Sequence, residues 1–384
     1  MNFAKRITNF QNKVLDNKLD GFIVTNPTNI FYLTGFKGVL PYERESILIF
    51  NPKLILIAPR LYQNEAKLAV TKLKMDKISI HLKVARERDQ IFKLVKNLLK
   101  NCRKKGLPTE ALAKVGFEEA DLKFSEHRLL TSYQLPATRY RLVPFEDLIE
   151  KMRVFKTEEE IEKIEKGQII SQKAFNQLVK TIKIGQTEAE IAERLTKIIK
   201  SLGAEDLAFE SVVASGKNAR LPHYVSGKKK IKRGEVLLFD FGAKFQNYCA
   251  DLSRTIFVGR VKDQHKNIYS HVQQAQKVAI GKIVHGTSAS DAYHAANNVF
   301  KKQNLNQYFL HGLGHGVGLE IHENPHLRPS LPTTNDQLLT NGMVFSVEPG
   351  LYFPWGGIRI EDLVLVKNGR AKILGKQTDR AIEI

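Results

Sequence analysis

The fold is decided by residues 236–258, VLLFDFGAKFQNYCADLSRTIFV, in which two apolar runs flank a short, mostly polar turn. Such a pattern is typical of an antiparallel hairpin. A symmetric hairpin centred on Phe245 and Gln246 would place Asp240 directly opposite Asp251, with Cβ atoms roughly 4.5–5.5 Å apart. Two carboxylates this close inside apolar strands need protons or cations to neutralise them. The stretch therefore points to a cation site.

A second stretch repeats this arrangement about a hundred residues later. Apolar residues 344–348 and 358–365 flank a turn-rich segment at 353–357. A hairpin centred on Pro354 and Trp355 would set Glu348 opposite Glu361. Because Pro349 cannot donate to a ladder, we expect the strand to be interrupted there. One acid in a strand is usually a solvated edge residue, but two acid pairs in apolar hairpins indicate a metal centre.

Between the two hairpins lies a glycine-rich segment with three histidines, residues 311–325, HGLGHGVGLEIHENP. Its glycines are too dense for a stable helix, which excludes the helical histidine pair of a zincin. We expect an extended or looped backbone whose glycines let it approach metal and substrate closely. The candidate histidines are His311, His315 and His322, together with His223 upstream.

The types of ligand indicate which metal ions the site would bind. Four carboxylates carry a formal charge of −4, which balances two divalent ions. An oxygen-rich set with one imidazole suits manganese, with cobalt, iron and zinc as alternatives. Neither Cys102 nor Cys249 has a partner at zinc-ligand spacing, so a cysteine-based zinc site is not expected.

These motifs resemble the signature of the dinuclear metallopeptidases of pita-bread fold, the family of methionine aminopeptidase, creatinase and prolidase. Within that family the chain is most similar to Xaa-Pro aminopeptidases and Xaa-Pro dipeptidases (prolidases). The matching residues are Asp240, Asp251, His315, Glu348 and Glu361, with His223, the 311–323 motif, Glu348-Pro349-Gly350 and Arg359-Ile360-Glu361-Asp362.

The resemblance implies a role for each ligand. Asp251 and Glu361 would bridge two divalent metal ions. Asp240 would chelate one ion, and His315 and Glu348 would bind the other. A hydroxide between the ions would attack the peptide bond before a proline.

It also implies catalytic roles outside the ligand set. Glu348 would shuttle the proton to the leaving nitrogen. His223 and His322 would donate hydrogen bonds to the substrate and the tetrahedral intermediate, and His311 would shape the pocket for proline. Arg359 lies two residues before Glu361, on the same strand face, and is placed to hold a ligand carboxylate. Tyr352 is a weaker candidate for such support.

The expected fold is α+β: a C-terminal pita-bread domain with an internal pseudo-twofold repeat, preceded by an α/β creatinase-type domain. A glycine precedes a capping-box pattern twice, at Thr187–Glu190 and Ser288–Asp291. We expect the N-terminal domain at 1–130, a linker at 131–151 and the catalytic domain at 152–384. The N-terminal domain would build a homodimer and wall the active site.

Composition adds expectations about location and partners. The chain has 384 residues, two cysteines and a net charge of +20. No signal peptide or membrane helix is indicated, so we expect a cytoplasmic protein without a membrane partner. The densest basic run, residues 228–233, has no interleaved aromatics, and we expect no specific nucleic-acid partner.

Several alternatives remain beside an Xaa-Pro aminopeptidase, which the wording of residues 314–323 favours. An Xaa-Pro dipeptidase shares the same residues. A metal-free binding protein of this fold is the non-enzyme alternative, and the basic charge favours it. A kinase is excluded because Asp240-Phe241-Gly242 lacks its companion motifs. Creatinase-like amidinohydrolases lack the metal set, and methionine aminopeptidases resemble only the catalytic half.

Overall fold

A computed structural model describes residues 2–37, 45–87, 89–99, 112–131, 140–330, 336–376 and 381–384. Cys102 lies outside these residues. The chain divides into two units, Met1–Arg153 and Val154–Ile384. In the described parts of the chain, no helix combines the length and the apolar character needed to cross a lipid bilayer.

The first unit alternates helices and strands, as the sequence predicts. Its helices are α1 (Phe3–Asp16), α2 (Pro27–Thr34), α3 (Gln63–Met75), α4 (Asp89–Leu99), α5 (Phe124–Thr131) and α6 (Glu150–Arg153), and a 3₁₀ turn spans Arg60–Tyr62. Its strands are β1 (Gly21–Val24), β2 (Ile47–Asn51), β3 (Lys53–Pro59), β4 (Ile80–Ala85), β5 (Ala113–Glu118) and β6 (Tyr140–Phe145).

These strands form one mixed sheet in the order β4-β3-β2-β1-β5-β6. Because side chains alternate between the two faces, Phe22 and its partner Phe50 point to one face, where Phe10 of α1 packs on both rings. Ile23 and Ile49 point to the other face and join the core formed with α4. Helices therefore cover both faces, which confirms the α/β class expected for this part of the chain.

The segment 131–151, for which a linker is predicted, contains regular structure. Strand β6 (Tyr140–Phe145) pairs in parallel with β5 at the edge of the sheet. An edge strand tolerates Pro144, although proline has no backbone N–H to donate. The domain boundaries themselves stay a prediction.

The second unit consists of helical pairs and antiparallel sheets. Its helices are α7 (Glu158–Val179), α8 (Glu188–Ser201), α9 (Asp263–Lys282) and α10 (Ala289–Lys301), with 3₁₀ turns at Gly216–Arg220 and Asn306–Tyr308. Its strands are β7 (Asp206–Leu207), β8 (Val212–Ser215), β9 (Val236–Phe241), β10 (Ala243–Phe245), β11 (Tyr248–Cys249), β12 (Leu252–Phe257), β13 (Thr287–Ser288), β14 (Gly314–Gly316), β15 (Glu323–Leu327), β16 (Leu338–Leu339), β17 (Val344–Val347), β18 (Gly350–Phe353), β19 (Gly356–Arg359), β20 (Asp362–Lys367) and β21 (Arg370–Ile373).

The order of two helices followed by a sheet occurs twice in this unit. Helices α7 and α8 precede the sheet β12-β9-β8, and α9 and α10 precede the sheet β15-β14-β17-β20-β21. Gly185 and Gly286, at equivalent positions, both have φ +90°. Thr187 caps α8 with a complete capping box, and Ser288 caps α10 by accepting from the backbone of Asp291. The repeat predicted from these patterns is present.

The first acid hairpin forms, but the predicted register is wrong. Ser253, and not Asp251, lies directly opposite Asp240. The turn is Gln246-Asn247, both with positive φ, and this moves the centre of the hairpin one residue along the chain. Asp251 lies two residues before Ser253, on the same face of the strand. The two carboxylates therefore remain on one face as diagonal neighbours.

The second acid hairpin has the predicted register. Strand β18 pairs with β19 from Gly350↔Arg359 to Phe353↔Gly356, and β17 pairs with β20 up to Val347↔Asp362. Between these two ladders the strands are interrupted at residues 348–349 and 360–361. Pro349 causes the predicted break, and the register on both sides sets Glu348 opposite Glu361.

The glycine-rich segment provides an extended strand, as expected. A Cβ on Gly314 would lie 2.0 Å from the carbonyl oxygen of Ser346, and one on Gly316 would lie 2.1 Å from that of Asn324. These glycines let β14 pass between β15 and β17. The close approach seen is therefore to neighbouring backbone, whereas the sequence suggested an approach to metal and substrate.

Candidate metal centre

A cavity of about 700 Å³ in the second unit brings together the predicted metal ligands and catalytic residues. The strands and loops of both halves of the repeat contribute to its walls. The predicted residues that line it are His223, Asp240, Asp251, His311, His315, His322, Glu348, Arg359 and Glu361.

At the centre of the cavity, carboxylate oxygens and one imidazole nitrogen converge. Ligand atoms of Asp251, His315 and Glu361 all lie within 4.8 Å of one another. The Nε2 atom of His315 is 3.6 Å from Oδ2 of Asp251 and 3.4 Å from Oε1 of Glu348. These atoms surround a space of the size that a metal ion occupies.

Burial and mutual repulsion make these carboxylates hard to ionise. Burial, followed by the charge of Glu361, raises the pKa of Asp251 well above its ordinary value. Burial and the charge of Glu348 do the same to the pKa of Glu361. Burial raises the pKa of Glu348 to about 7, although Arg359 opposes the shift. In the absence of a cation, the site holds protons at neutral pH.

The ring of His315 is neutral and held in one orientation. Burial lowers its pKa to about 3, so the ring is neutral. Its Nδ1 lies 3.1 Å from the carbonyl oxygen of Gly316, an acceptor only, so Nδ1 carries the proton. The Nε2 lone pair therefore faces Asp251 and Glu348. This tautomer, fixed by a backbone carbonyl, is the usual one for a metal-ligating histidine.

Arg359 connects the carboxylates to a chain of hydrogen bonds. Its guanidinium donates to Oδ2 of Asp240 at 2.5 Å, to the hydroxyl of Ser253 at 2.9 Å and to the hydroxyl of Tyr352 at 2.8 Å. Since Tyr352 accepts from Arg359, its own proton points to Nε2 of His311, 2.8 Å away. His311, whose pKa burial lowers to about 4, then donates from Nδ1 to the carbonyl oxygen of Gly312.

Two serines that sequence reasoning missed support the carboxylates. Ser253 donates to Oε2 of Glu361 at 2.7 Å, and Ser346 donates to Oε1 of Glu348 at 3.2 Å. Ser253 lies two residues after Asp251, and Ser346 lies two residues before Glu348. Period-two spacing in a strand places each serine on the face of its neighbouring acid, which is the signal that could have identified them.

A buried ion pair joins the two halves of the repeat behind the site. Arg254 and Asp362 are 2.6 Å apart and are almost fully buried. Arg254 also donates to the carbonyl oxygen of Glu361, and Gln276 donates to Asp362 and to the carbonyl oxygens of Val347 and Ile360. These contacts supply hydrogen bonds to backbone carbonyl oxygens where the strands are interrupted. They thereby hold in place the backbone that carries Glu348 and Glu361. They depend on the approach of distant segments, so no local pattern reveals them.

Comparison with known proteins identifies the family. The sequence model of metallopeptidase family M24 matches residues 162–368, and that of the creatinase/prolidase N-terminal domain matches residues 6–155. The chain belongs to metallopeptidase family M24. It is 33% identical to an Xaa-Pro dipeptidase of Pyrococcus furiosus, over 96% of each chain.

Two solved structures have the same fold over all or nearly all of the chain. An Xaa-Pro dipeptidase from Bacillus anthracis superposes with a TM-score of 0.87 at 29% identity and covers 100% of both chains. An X-Pro aminopeptidase from Thermotoga maritima superposes with a TM-score of 0.81 at 30% identity over 97% of both chains. The pita-bread catalytic domain and the creatinase-type N-terminal domain are therefore both present.

As a member of M24, the chain is a metal-dependent peptidase, and the family implies divalent metal ions. The residues of the cavity fit such ions. Oδ1 of Asp251 and Oε1 of Glu361 are buried and have no hydrogen-bond partner in the described parts of the chain. Buried carboxylate oxygens normally have partners, and divalent cations would supply them here.

Two further histidines of this M24 site lie around the carboxylates. The ring of His322 packs edge-on against that of His315, with centroids 4.3 Å apart. Burial and the proximity of His223 lower the pKa of His322, so it is neutral at pH 7. The roles assigned to the individual site residues stay predictions from the sequence.

Proposed function

We propose that the protein is an Xaa-Pro aminopeptidase that uses two manganese ions to hydrolyse the bond between an N-terminal residue and a following proline. The observation that carries this proposal is the cavity lined by the nine predicted catalytic and metal-binding residues, in which two buried carboxylate oxygens have no hydrogen-bond partner among the described residues. In the proposed site, Asp251 and Glu361 would help to hold both ions, Asp240 would hold one, and His315 and Glu348 would hold the other.

When bound, two divalent ions would supply Lewis acidity that lowers the pKa of a water and polarises the scissile carbonyl. Their charge would also balance the carboxylates, which burial otherwise keeps protonated. Oxygen-rich coordination with one imidazole favours manganese over zinc. Cobalt, iron and zinc are the alternatives that the same ligands could accept.

The proton transfers fall to Glu348 in this proposal. Its carboxyl has a pKa of about 7 in the absence of metal, close to the value that suits a general acid and base at neutral pH. Ser346 and Arg359 hold the carboxyl from two sides. Glu348 can accept a proton from the attacking water and deliver it to the leaving prolyl nitrogen.

The histidines of the cavity suit the binding of the substrate. His223 and His322 line the cavity and can donate to the substrate carbonyl and to the tetrahedral intermediate, where one donor is worth about 3–4 kcal/mol. His311 is held by Tyr352 and Gly312, so its ring can serve as a fixed wall of the proline pocket. Proline lacks a backbone N–H and needs a shaped, largely apolar wall.

An Xaa-Pro dipeptidase is the second candidate. The names of the relatives at 33% identity, from Pyrococcus furiosus and Pyrococcus horikoshii, support it. The glycine-rich motif and the X-Pro aminopeptidase from Thermotoga maritima support the first candidate. The two differ in whether substrate can extend beyond proline.

The test compares three substrates on protein loaded with manganese: an Xaa-Pro dipeptide, an Xaa-Pro-Xaa tripeptide and a control tripeptide with alanine in place of proline. An aminopeptidase cleaves the proline tripeptide faster than the dipeptide, and a dipeptidase does the reverse. Equal cleavage of the alanine control would contradict proline specificity. No cleavage by the metal-loaded protein would favour the non-enzyme alternative of a basic binding protein.

Three further parts of the proposal concern the whole protein. We propose a catalytic domain from residue 152, an N-terminal domain up to residue 130, and a homodimer in the cytoplasm. Cys249 is buried and forms no disulfide with another described residue. Light scattering on the purified protein tests the dimer, and a monomer at working concentration would contradict it.

A further inference from the structure

A buried glutamate that does not line the cavity contacts the segment that carries His223. Glu188 is the first residue of helix α8, and its side chain is fully buried. It accepts hydrogen bonds from the backbone N–H and the hydroxyl of Ser215, both at 2.7 Å. It also accepts from the amide of Asn218 at 3.1 Å and from the hydroxyl of Tyr224 at 2.9 Å.

The segment that begins at Ser215 forms one wall of the cavity. Residues 221–229, all of which the structure describes, belong to no helix or strand. Leu221 and Val225 are 47% and 68% exposed, so little apolar packing holds these positions. His223 and Tyr224 both line the cavity. The conformation of this wall therefore depends on the polar contacts that anchor it.

Several of those contacts converge on the first turn of α8, while Ser226 is held separately by Val213 and Ser211. The carboxylate of Glu188 holds Ser215 and Asn218 at the start of the segment and Tyr224 in its middle. At its end, the backbone N–H of Glu188 donates to the carbonyl oxygen of Lys229, and that of Ala189 donates to Gly227. Asn218 also donates to the hydroxyl of Tyr224 at 2.8 Å, so the contacts form one connected network.

Comparison of the two halves of the repeat shows which contacts of the first turn of α8 are general and which depend on the Glu188 carboxylate. In the second half, Ala289 occupies the position equivalent to Glu188, after the equivalent glycine and cap. Its backbone N–H still donates to a neighbouring segment, at Gln337. The backbone contact is thus common to both halves. The carboxylate is present in the half that carries His223, so the helix does not need it in order to form.

We propose that Glu188 is a positioning residue for hydrolysis: it holds the segment 215–227 so that His223 and Tyr224 face the scissile bond. This inference rests on the proposed function, because it assigns Glu188 an effect that passes through His223. Glu188 itself contacts neither the predicted metal ligands nor, in this proposal, the substrate.

The test uses the full-length, metal-loaded protein and the variant Glu188→Gln. An amide has one acceptor oxygen, so it cannot accept from Ser215, Asn218 and Tyr224 together. The matched control is Glu190→Gln, which makes the same chemical change two residues later in the same helical turn. The carboxylate of Glu190 belongs to the exposed capping box. Tyr224→Phe, which removes the hydrogen bonds of that hydroxyl to Glu188 and Asn218, serves if Glu188→Gln does not fold.

Two readouts decide the matter. Hydrogen exchange of the peptides that cover residues 215–227 is expected to rise in Glu188→Gln and in Tyr224→Phe, and to stay unchanged in Glu190→Gln. The kcat/KM for a proline substrate is expected to fall about tenfold or more in Glu188→Gln, the size of effect that loss of hydrogen bonds to a charged group gives, at unchanged metal content. In a protein that already carries His223→Ala, adding Glu188→Gln is expected to lower kcat/KM only slightly further.

Three results would overturn the proposal. Unchanged exchange in Glu188→Gln would show that the carboxylate does not anchor the segment. Multiplicative losses in the double variant would show that Glu188 does not act through His223. Equal behaviour of the Glu188 and Glu190 variants would assign the effect to the helix end. If the parent protein cleaves no proline substrate, the proposed function fails, and the exchange comparison still decides whether Glu188 anchors the segment.

Discussion

Replacement of Glu348 by glutamine should have opposite effects on the metal-free and the metal-loaded protein. In the metal-free state, burial raises the pKa of Glu348 from 4.5 to about 7. Glutamine resembles the protonated carboxyl in shape and charge. The variant therefore removes the cost of ionising this buried group, and it also removes a proposed metal ligand.

The magnitude follows from proton linkage. A carboxyl whose pKa is higher in the folded than in the unfolded state contributes stability below the unfolded pKa, and this stability is lost as pH rises through the folded value. A shift from 4.5 to about 7 corresponds to about 3 kcal/mol of unfolding free energy. As pH rises from 5 to 8, the unfolding free energy of the metal-free variant should therefore increase by about 2–3 kcal/mol relative to that of the parent.

With metal bound, the parent should be the more stable of the two proteins. A ligand at a hundred times its Kd adds about 2.7 kcal/mol to the unfolding free energy for each site. The parent should gain this stability from manganese, and the variant should gain much less because one ion has lost a carboxylate ligand. The assay is chemical denaturation at several pH values, with chelator and with manganese. Glu210→Gln, an exposed position on the wall of the same cavity, is the matched control.

Two outcomes would refute this reasoning. A difference between parent and Glu348→Gln that does not change with pH would mean that the buried carboxyl is not protonated near neutrality. An equal gain of stability from manganese in both proteins would mean that Glu348 does not bind metal.

Three further predictions concern the same site. Arg359→Lys should weaken manganese binding about 10–100-fold, because an ammonium cannot reach all the guanidinium's partners; unchanged affinity in a metal titration would contradict this. Manganese binding at pH 6 should release protons, since burial raises the pKa of Asp251 and Glu361; binding heats that are equal in two buffers of different ionisation enthalpy would argue against it. Tyr352→Phe should lower the unfolding free energy by about 1–3 kcal/mol, because Arg359 and His311 both lose a partner; a variant as stable as the parent in denaturant would count against the hydrogen-bond chain.

The two hairpins show how far sequence alone predicts this site. The second register is correct because Pro354 and the glycines after Trp355 mark the turn clearly. The first is offset because Gln246 and Asn247 both adopt positive φ, which glutamine rarely does. The offset keeps Asp240 and Asp251 on one strand face, since the centre moved by a whole residue. The prediction that these acids converge therefore does not depend on the exact register.

Contacts between distant segments could not be predicted in this way. Arg254 and Asp362 form their buried pair because strands from the two halves of the repeat meet behind the site. Glu188 reaches Tyr224 because a helix start packs under a loop without regular structure. Sequence spacing places residues on a face of one element, but it does not say which element that face will meet.

The central claim is that the buried carboxylates hold two divalent ions that make the chain an Xaa-Pro peptidase. The most direct measurement is a manganese titration of chelator-treated protein in which bound metal and cleavage of an Xaa-Pro-Xaa tripeptide are followed together, beside Glu361→Ala. We expect activity to appear as metal binds and to saturate at two ions per chain. In Glu361→Ala we expect neither the binding of two ions nor cleavage. A parent protein that binds no divalent ion, or that binds two and cleaves no Xaa-Pro bond, would contradict the claim.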